Sequence, residues 1–287
     1  MRQGDGRAPL SWLHSVGATA RQSLLRAQRL LPVSWQSEQA ILTHRAIPDE
    51  LWRPTLTRFP FLAWRDTARQ EALRELASLF LARKQFVPAG GLVLSDEMAV
   101  AIAAQACLPI LNRGLGCYAG FTDIVIHPDQ VVAQREVMDD AGVVHHYEEV
   151  LAGEAMAGGP VMLSWQDVRQ AQHTALGYNV VVHEFVHLLD MLDGDIDGIP
   201  PLPAGITEHE WTDTMWQAFD RHSEALARGD DTWLDPYAAE SGLVEFFPVV
   251  TEAFFAAPIR LQHGFAEVYA LLCRYFGEDP ASFEPRP

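Results

Sequence analysis

Apolar residues recur along this chain at two spacings, and the spacing predicts the elements. Between Trp64 and Gln85, Leu73, Leu76 and Phe80 recur three to four apart with Arg and Glu on the other face, which predicts an amphipathic helix. Ser95 to Cys107 reads as a second helix, with Ser95 as N-cap, Asp96 and Glu97 in the first turn and Pro109 beyond its end. Short runs at Phe121–His127, Val143–Leu151 and Val161–Trp165 predict strands, punctuated by Pro128 and by Gly158-Gly159-Pro160. Asp167 begins a lead into the apolar stretch Tyr178–Val182, which continues as a helix. After a loop holding Pro200, Pro201 and Pro203, helices are expected over Glu208–Arg228, Val244–Ala257 and Leu261–Phe276, the last stopped by Gly277. Helices, a few strands and more helices make an α+β fold with a small sheet. Val161–Trp165, just ahead of the central helix, is expected to be a sheet edge to which an extended peptide adds.

Composition narrows the class. With 287 residues and 48% hydrophobic positions, the chain can bury a sizeable core. The net charge is −17, from 38 acidic against 21 basic residues, which disfavours direct binding to nucleic acid. Residues 1–36 depart from this, with five arginines against one aspartate. Leu24, Leu25, Leu30 and Leu31 suggest a short amphipathic helix there. A poorly ordered extension over 1–37 is the simpler expectation, ahead of a single domain over 38–281. Cys107, Cys117 and Cys273 have no ligand-like spacing and read as thiols of a reducing compartment. No apolar signal segment follows the first residues, and the run Met98–Leu111 is broken by Gln105 and Pro109. A cytoplasmic protein with no membrane partner is the expectation.

The chemistry concentrates at His183-Glu184-Phe185-Val186-His187, an H-E-x-x-H pattern. On a helix, residues four apart share a face, so both imidazoles can reach one ion. Glu184 projects about 100° around the axis from His183, near enough to serve as a general base. Two neutral nitrogens and one carboxylate on one helix suit a zinc hydrolase, which needs a third protein ligand and an open position. Asp190 and Asp193 lie on or beyond the same helix and read as supporting or structural groups. Glu245 and Glu252 occur in an otherwise aromatic and apolar stretch, where buried carboxylates need partners. They lie roughly 10.5 Å apart along a helix axis, so both cannot bind one zinc. The pair is the best source of the ligand, with Pro248 between them as a possible kink. Tyr237, in Asp-Pro-Tyr-Ala-Ala, reads equally as a packed loop tyrosine or as an oxyanion donor. Asp193-Gly-Asp195-Ile-Asp197-Gly198 resembles half an EF-hand loop, but Ala204 and three prolines follow, so an acidic turn is expected. His145-His146 reads as a solvated pair, because neighbours on a strand point to opposite faces.

Several blocks together resemble the Mlc titration factor A family, zinc metallopeptidases of the gluzincin type. They are Lys84-Gln-Phe-Val-Pro88, Cys107-Leu-Pro-Ile-Leu-Asn112, Gly120-Phe-Thr-Asp-Ile-Val-Ile-His-Pro128, Gly159-Pro-Val-Met-Leu-Ser-Trp165, Gly177 through Gly194, and Tyr237-Ala-Ala with Glu245 through Phe255. The resemblance implies one zinc per chain held by His183, His187 and Glu245. It implies Glu184 as base, Tyr237 as oxyanion donor, and a supporting role for Glu252. It also implies a zincin-like fold, aminopeptidase-like activity on short peptides, and binding to an Mlc-like transcriptional repressor of sugar-uptake genes. The alternative is a non-catalytic protein that sequesters the repressor and keeps a structural zinc. An intact Glu184 argues against that, since a closed structural site has no use for a base.

Overall fold

The computed structural model describes residues 37–138, 144–173 and 177–285, with backbone alone over 133–138 and 144–150. Residues 1–36 of the expected extension, and the side chains of His145 and His146, lie outside the described residues. Four helices open the described chain: α1 (Glu38–Arg45), α2 (Asp49–Arg58), α3 (Pro60–Ala63) and α4 (Thr67–Arg83). The helix expected from Trp64 starts at Thr67 because the Asp66 carboxylate caps it, accepting from Arg69 N at 2.8 Å. Strand β1 (Gln85–Pro88) follows, then α5 (Asp96–Cys107), with Ser95 Oγ accepting from Met98 N at its start.

Next come β2 (Asp123–His127), an antiparallel ribbon of β3 (Val131–Met138) and β4 (Val144–Leu151), then β5 (Gly153–Ala155) and β6 (Val161–Ser164). The main sheet runs β1-β2-β6-β5, parallel except for the β5/β6 pair. This corrects the expectation that Val161–Trp165 forms an edge. β6 has β2 on one side and β5 on the other, and its Val161 and Leu163 are fully buried. The chain reaches β6 only after β5 and then inserts between two strands already laid down. The outer strand on this side is β5.

The remaining helices are α6 (Trp165–Gln170), α7 (Val180–Asp190), α8 (Glu208–Ala227), α9 (Leu243–Ala256), α10 (Pro258–Gly264) and α11 (Ala266–Phe276). The single helix expected over Leu261–Phe276 is instead broken at Phe265, with φ −142° and ψ 63°. A Cβ at Gly264 would stand 2.8 Å from Trp233 Nε1. Trp233 packs edge-on to Phe265, which also meets Phe246 and His222. Aromatic packing therefore outweighs helical continuity at this point. One hydrophobic core runs from Ile47 to Phe276 and takes in residues of the helices from α2 onward and of the main sheet. The result is a mainly helical molecule with a small mixed sheet.

Candidate metal centre

Every residue of α7 is buried, so this helix lies at the centre of the molecule. Its three leading valines cost about 0.5 kcal/mol each in helix propensity. Burial returns about 1.5–3 kcal/mol apiece, so packing decides the conformation. Asn179 caps the start, its Oδ1 accepting from Val182 N at 3.0 Å. On the face away from the histidines, Phe185 sits in a cage of Phe80, Tyr118 and Phe121, with ring centres 5.1–5.8 Å apart.

Helix α9 packs across α7 and brings both carboxylates to one imidazole. Glu252 Oε1 lies 2.7 Å from His183 Nδ1, and Glu245 Oε2 lies 3.0 Å from His183 Nε2. The ring spans the axial gap between the two glutamates, so each meets a different nitrogen. A carboxylate accepts, so Nδ1 is the donor toward Glu252, while Nε2 faces Glu245 and His187. His187 Nε2 stands 3.2 Å from His183 Nε2 and 3.6 Å from Glu245 Oε2. Donors each about 2.1 Å from one tetrahedral zinc stand about 3.4 Å apart. The three observed separations bracket that value, so the donor set fits zinc. Among the described residues, His183, His187 and Glu245 form the one group of three or more His, Cys, Asp or Glu converging in this way.

Electrostatics follow from this crowding. Burial disfavours a charged His183, but the hydrogen bonds that its ring donates to Glu245 and Glu252 outweigh it and hold its pKa well above the usual value. Burial also raises Glu245, yet its bonds to His183 and His187 prevail and bring it down to about 2. Glu184 is pushed up to about 8 by burial, opposed by His183 and reinforced by the charges of Glu245, Glu252 and Glu154.

Glu184 lines a cleft of about 310 Å³ together with His183, Leu151, Gly153, Tyr178 and Val180. Tyr237 lines the same cleft from a short 3-10 turn, Pro236–Ala239, with its ring centre 5.9 Å from that of His183. Asp190 is not in the converging group; its Oδ2 accepts from Gly198 N at 2.9 Å and ties the end of α7 to the acidic turn. In that turn Asp193 accepts from Asp195 N and Asp197 from Ile199 N, so these carboxylates cap their own loop.

Two residues near the site, Asn179 and Gly153, carry no obvious mark in the sequence. Asn179 donates its backbone N–H to Glu252 Oε2 and its side-chain Nδ2 to Gln105 Oε1 (3.0 Å). Gln105, the one polar interruption in the apolar α5 stretch, was the available signal for that link. Gly153 on β5 lies against Glu184, where a Cβ would come within 2.5 Å of Oε1. Nothing local distinguishes that glycine.

The H-E-x-x-H helix with a third ligand, a carboxylate, from a later helix is the zinc-binding arrangement of a gluzincin, here on a zincin-like metallopeptidase fold. The family model described as glucose-regulated metallo-peptidase M90 matches residues 33–277, and the chain belongs to that family. Among its relatives are proteins named Mlc titration factor A. That of Serratia proteamaculans is 35% identical over 244 residues, covering 83% of this chain and 91% of the relative. Those of Yersinia pestis and Yersinia pseudotuberculosis are 33% identical over 233 residues, covering 80% of this chain and 84% of theirs. Among the described residues, no helix is long and apolar enough to cross a membrane.

Proposed function

We propose that the protein is a zinc-dependent peptidase with aminopeptidase-like activity on short peptides, built on a unit spanning 38–281 with 1–37 as an extension. The observation that carries this reading is the placement of Glu184, buried at the cleft beside His183, with Gly153 of β5 against its carboxyl. His183, His187 and Glu245 hold one zinc per chain, which when bound supplies Lewis-acid polarisation of a carbonyl and acidifies water. Glu184 takes the proton from the attacking water and returns it to the leaving amine. Its raised pKa suits a group that accepts and returns a proton near neutral pH. Tyr237, at the cleft, donates its hydroxyl to the developing oxyanion. Glu252 orients His183 through Nδ1, and Asp190 anchors the end of α7. An extended peptide pairs with the outer strand β5, which sets its backbone beside Glu184.

Metal content and turnover of short peptides test this reading. Glu184→Gln keeps its shape but accepts no proton; it should retain zinc and lose about 10²-fold or more in kcat. Glu245→Ala should lose zinc. Wild-type turnover in Glu184→Gln would exclude the mechanism.

A second activity is favoured by the relatives' name, which states that they titrate Mlc. The partner we carry over is an Mlc-like transcriptional repressor, met in the cytoplasm by protein contact rather than through DNA, consistent with a net charge of −17. If that contact lies away from the cleft, Glu184→Gln binds the repressor as tightly as wild type in calorimetry. Equal loss of binding and turnover would make the cleft the docking site.

A further inference from the structure

Two hollows flank Glu184 along α7. The cleft described above lies toward the N-terminal end of the helix, at Val180 and His183. A second hollow of about 100 Å³ lies toward the other end, walled by Leu188, Met191 and Leu192. On a helix Leu188 and Met191 continue the face that holds Glu184, placing the hollow about 6–10 Å further along the axis. Its facing wall includes Ala157 and Gly158, in the turn between β5 and β6, and Phe121. β5 packs on α7. β5 thus starts at Gly153 beside Glu184, and the turn that follows it brings Ala157 and Gly158 to the Leu188–Leu192 end of the helix. Apart from the Cys117 thiol, the side chains lining the hollow are apolar. Leu192 is 45% exposed and Met156, just past β5, is 41% exposed, so large apolar side chains lie at the hollow and next to its turn.

We propose that this hollow is a second substrate subsite, which takes an apolar side chain of the peptide on the opposite side of the scissile bond from the cleft. The inference rests on the peptidase reading above. Its occupant follows from placement: Gly153 and Glu184 line the cleft, while Ala157, Gly158 and Leu188 line the hollow, so a peptide paired with β5 and crossing Glu184 is directed from one toward the other. An extended chain advances about 6.8 Å for every two residues, so a side chain two or three residues from the scissile bond reaches it. The favoured substrate is then a peptide held on both sides of that bond, not a single-residue amide.

The test compares two internally quenched hexapeptides on the zinc-loaded protein, one with leucine at every position and one with serine at every position. The leucine peptide should have the higher kcat/KM by about ten-fold or more, the worth of a filled apolar pocket. Leu192→Asp should collapse that leucine-to-serine ratio. It should also weaken binding of a labelled leucine hexapeptide to the Glu184→Gln protein. Ala157→Phe, which fills the hollow from an exposed loop, is a second variant should Leu192→Asp fail to fold. An unchanged ratio and unchanged peptide binding in a folded variant would overturn the proposal. If wild type cut neither these peptides nor the same hexapeptides with free N-termini, the peptidase reading would fall, while the binding measurement would still decide the hollow.

Discussion

At the residue scale, the site depends on how closely atoms approach one another. Gly153 is needed because the Glu184 side chain lies where a Cβ would stand, 2.5 Å from Oε1 and 2.6 Å from Cγ. Gly153→Ala must displace either the strand or the carboxylate. Displacing a proton-transfer group by about 1 Å costs up to about 10²-fold, so kcat should fall at least ten-fold while zinc content stays unchanged. Turnover and metal analysis of that one variant check it. Glu252 Oε1 lies 2.7 Å from His183 Nδ1, and its Oε2 accepts the Asn179 backbone N–H. Glu252→Gln keeps an acceptor but removes its charge, so zinc affinity should weaken about 10–100-fold without being abolished. Competition with a zinc chelator measures it, and wild-type affinity would show that this carboxylate does not tune the ligand.

At the element scale, α7 is held by what surrounds it. Its cage of Phe80, Tyr118 and Phe121 joins α4 to the segment before β2. Lys84, between α4 and β1, fastens that segment. Its ammonium donates to the carbonyls of Tyr118 and Phe121 and lies 3.7 Å from the centre of the Phe121 ring. Lys84→Met leaves both carbonyls without this donor and should cost about 2–4 kcal/mol in urea unfolding. Burial pulls the Lys84 pKa from 10.5 to about 8. Between those values the unfolded chain binds the proton that the folded chain has released, so this group's contribution to stability rises with pH. The deprotonated amine still donates to both carbonyls. The stability gap between wild type and Lys84→Met should therefore widen from pH 7.5 to pH 9.5. A gap that narrows would mean that the folded chain holds the proton throughout.

At the scale of the whole molecule, an ion pair closes the chain on itself. Arg65 donates to Glu278 through Nε (2.7 Å) and Nη2 (3.0 Å), and its Nη1 donates to Phe61 O (2.8 Å). Both side chains are almost wholly buried, and the two residues are 213 positions apart. Removing one partner leaves the other charge buried alone. Glu278→Ala should thus lose about 3–5 kcal/mol in chemical denaturation. Because the pair joins the segment before α4 to the turn after α11, the loss should appear as one cooperative transition with zinc still bound in the folded state. An early, separate transition would mean that the C-terminal helices form their own unit.

The sequence by itself determined whatever depends on short-range energy. The four-residue spacing of His183 and His187, the Ser95 cap and the apolar periodicity of α4 and α8 are local, and each could be read directly. The α+β class followed from their order. Residue chemistry narrowed the third ligand to Glu245 or Glu252 but did not separate them; family resemblance pointed to Glu245. Only the tertiary structure showed how both are used, because the packing of α9 on α7 sets one carboxylate at each nitrogen of the same ring. The outer strand was misplaced for a similar reason: β6 looks like a strand from its own residues, but its neighbours are set by the path through β3, β4 and β5. Gly153 and the break at Phe265 were invisible locally, since each exists to admit a side chain from elsewhere, Glu184 in one case and Trp233 in the other. Periodicity and capping are written into neighbouring residues, whereas strand order, close approach and aromatic packing arise between residues that meet only once the chain has folded.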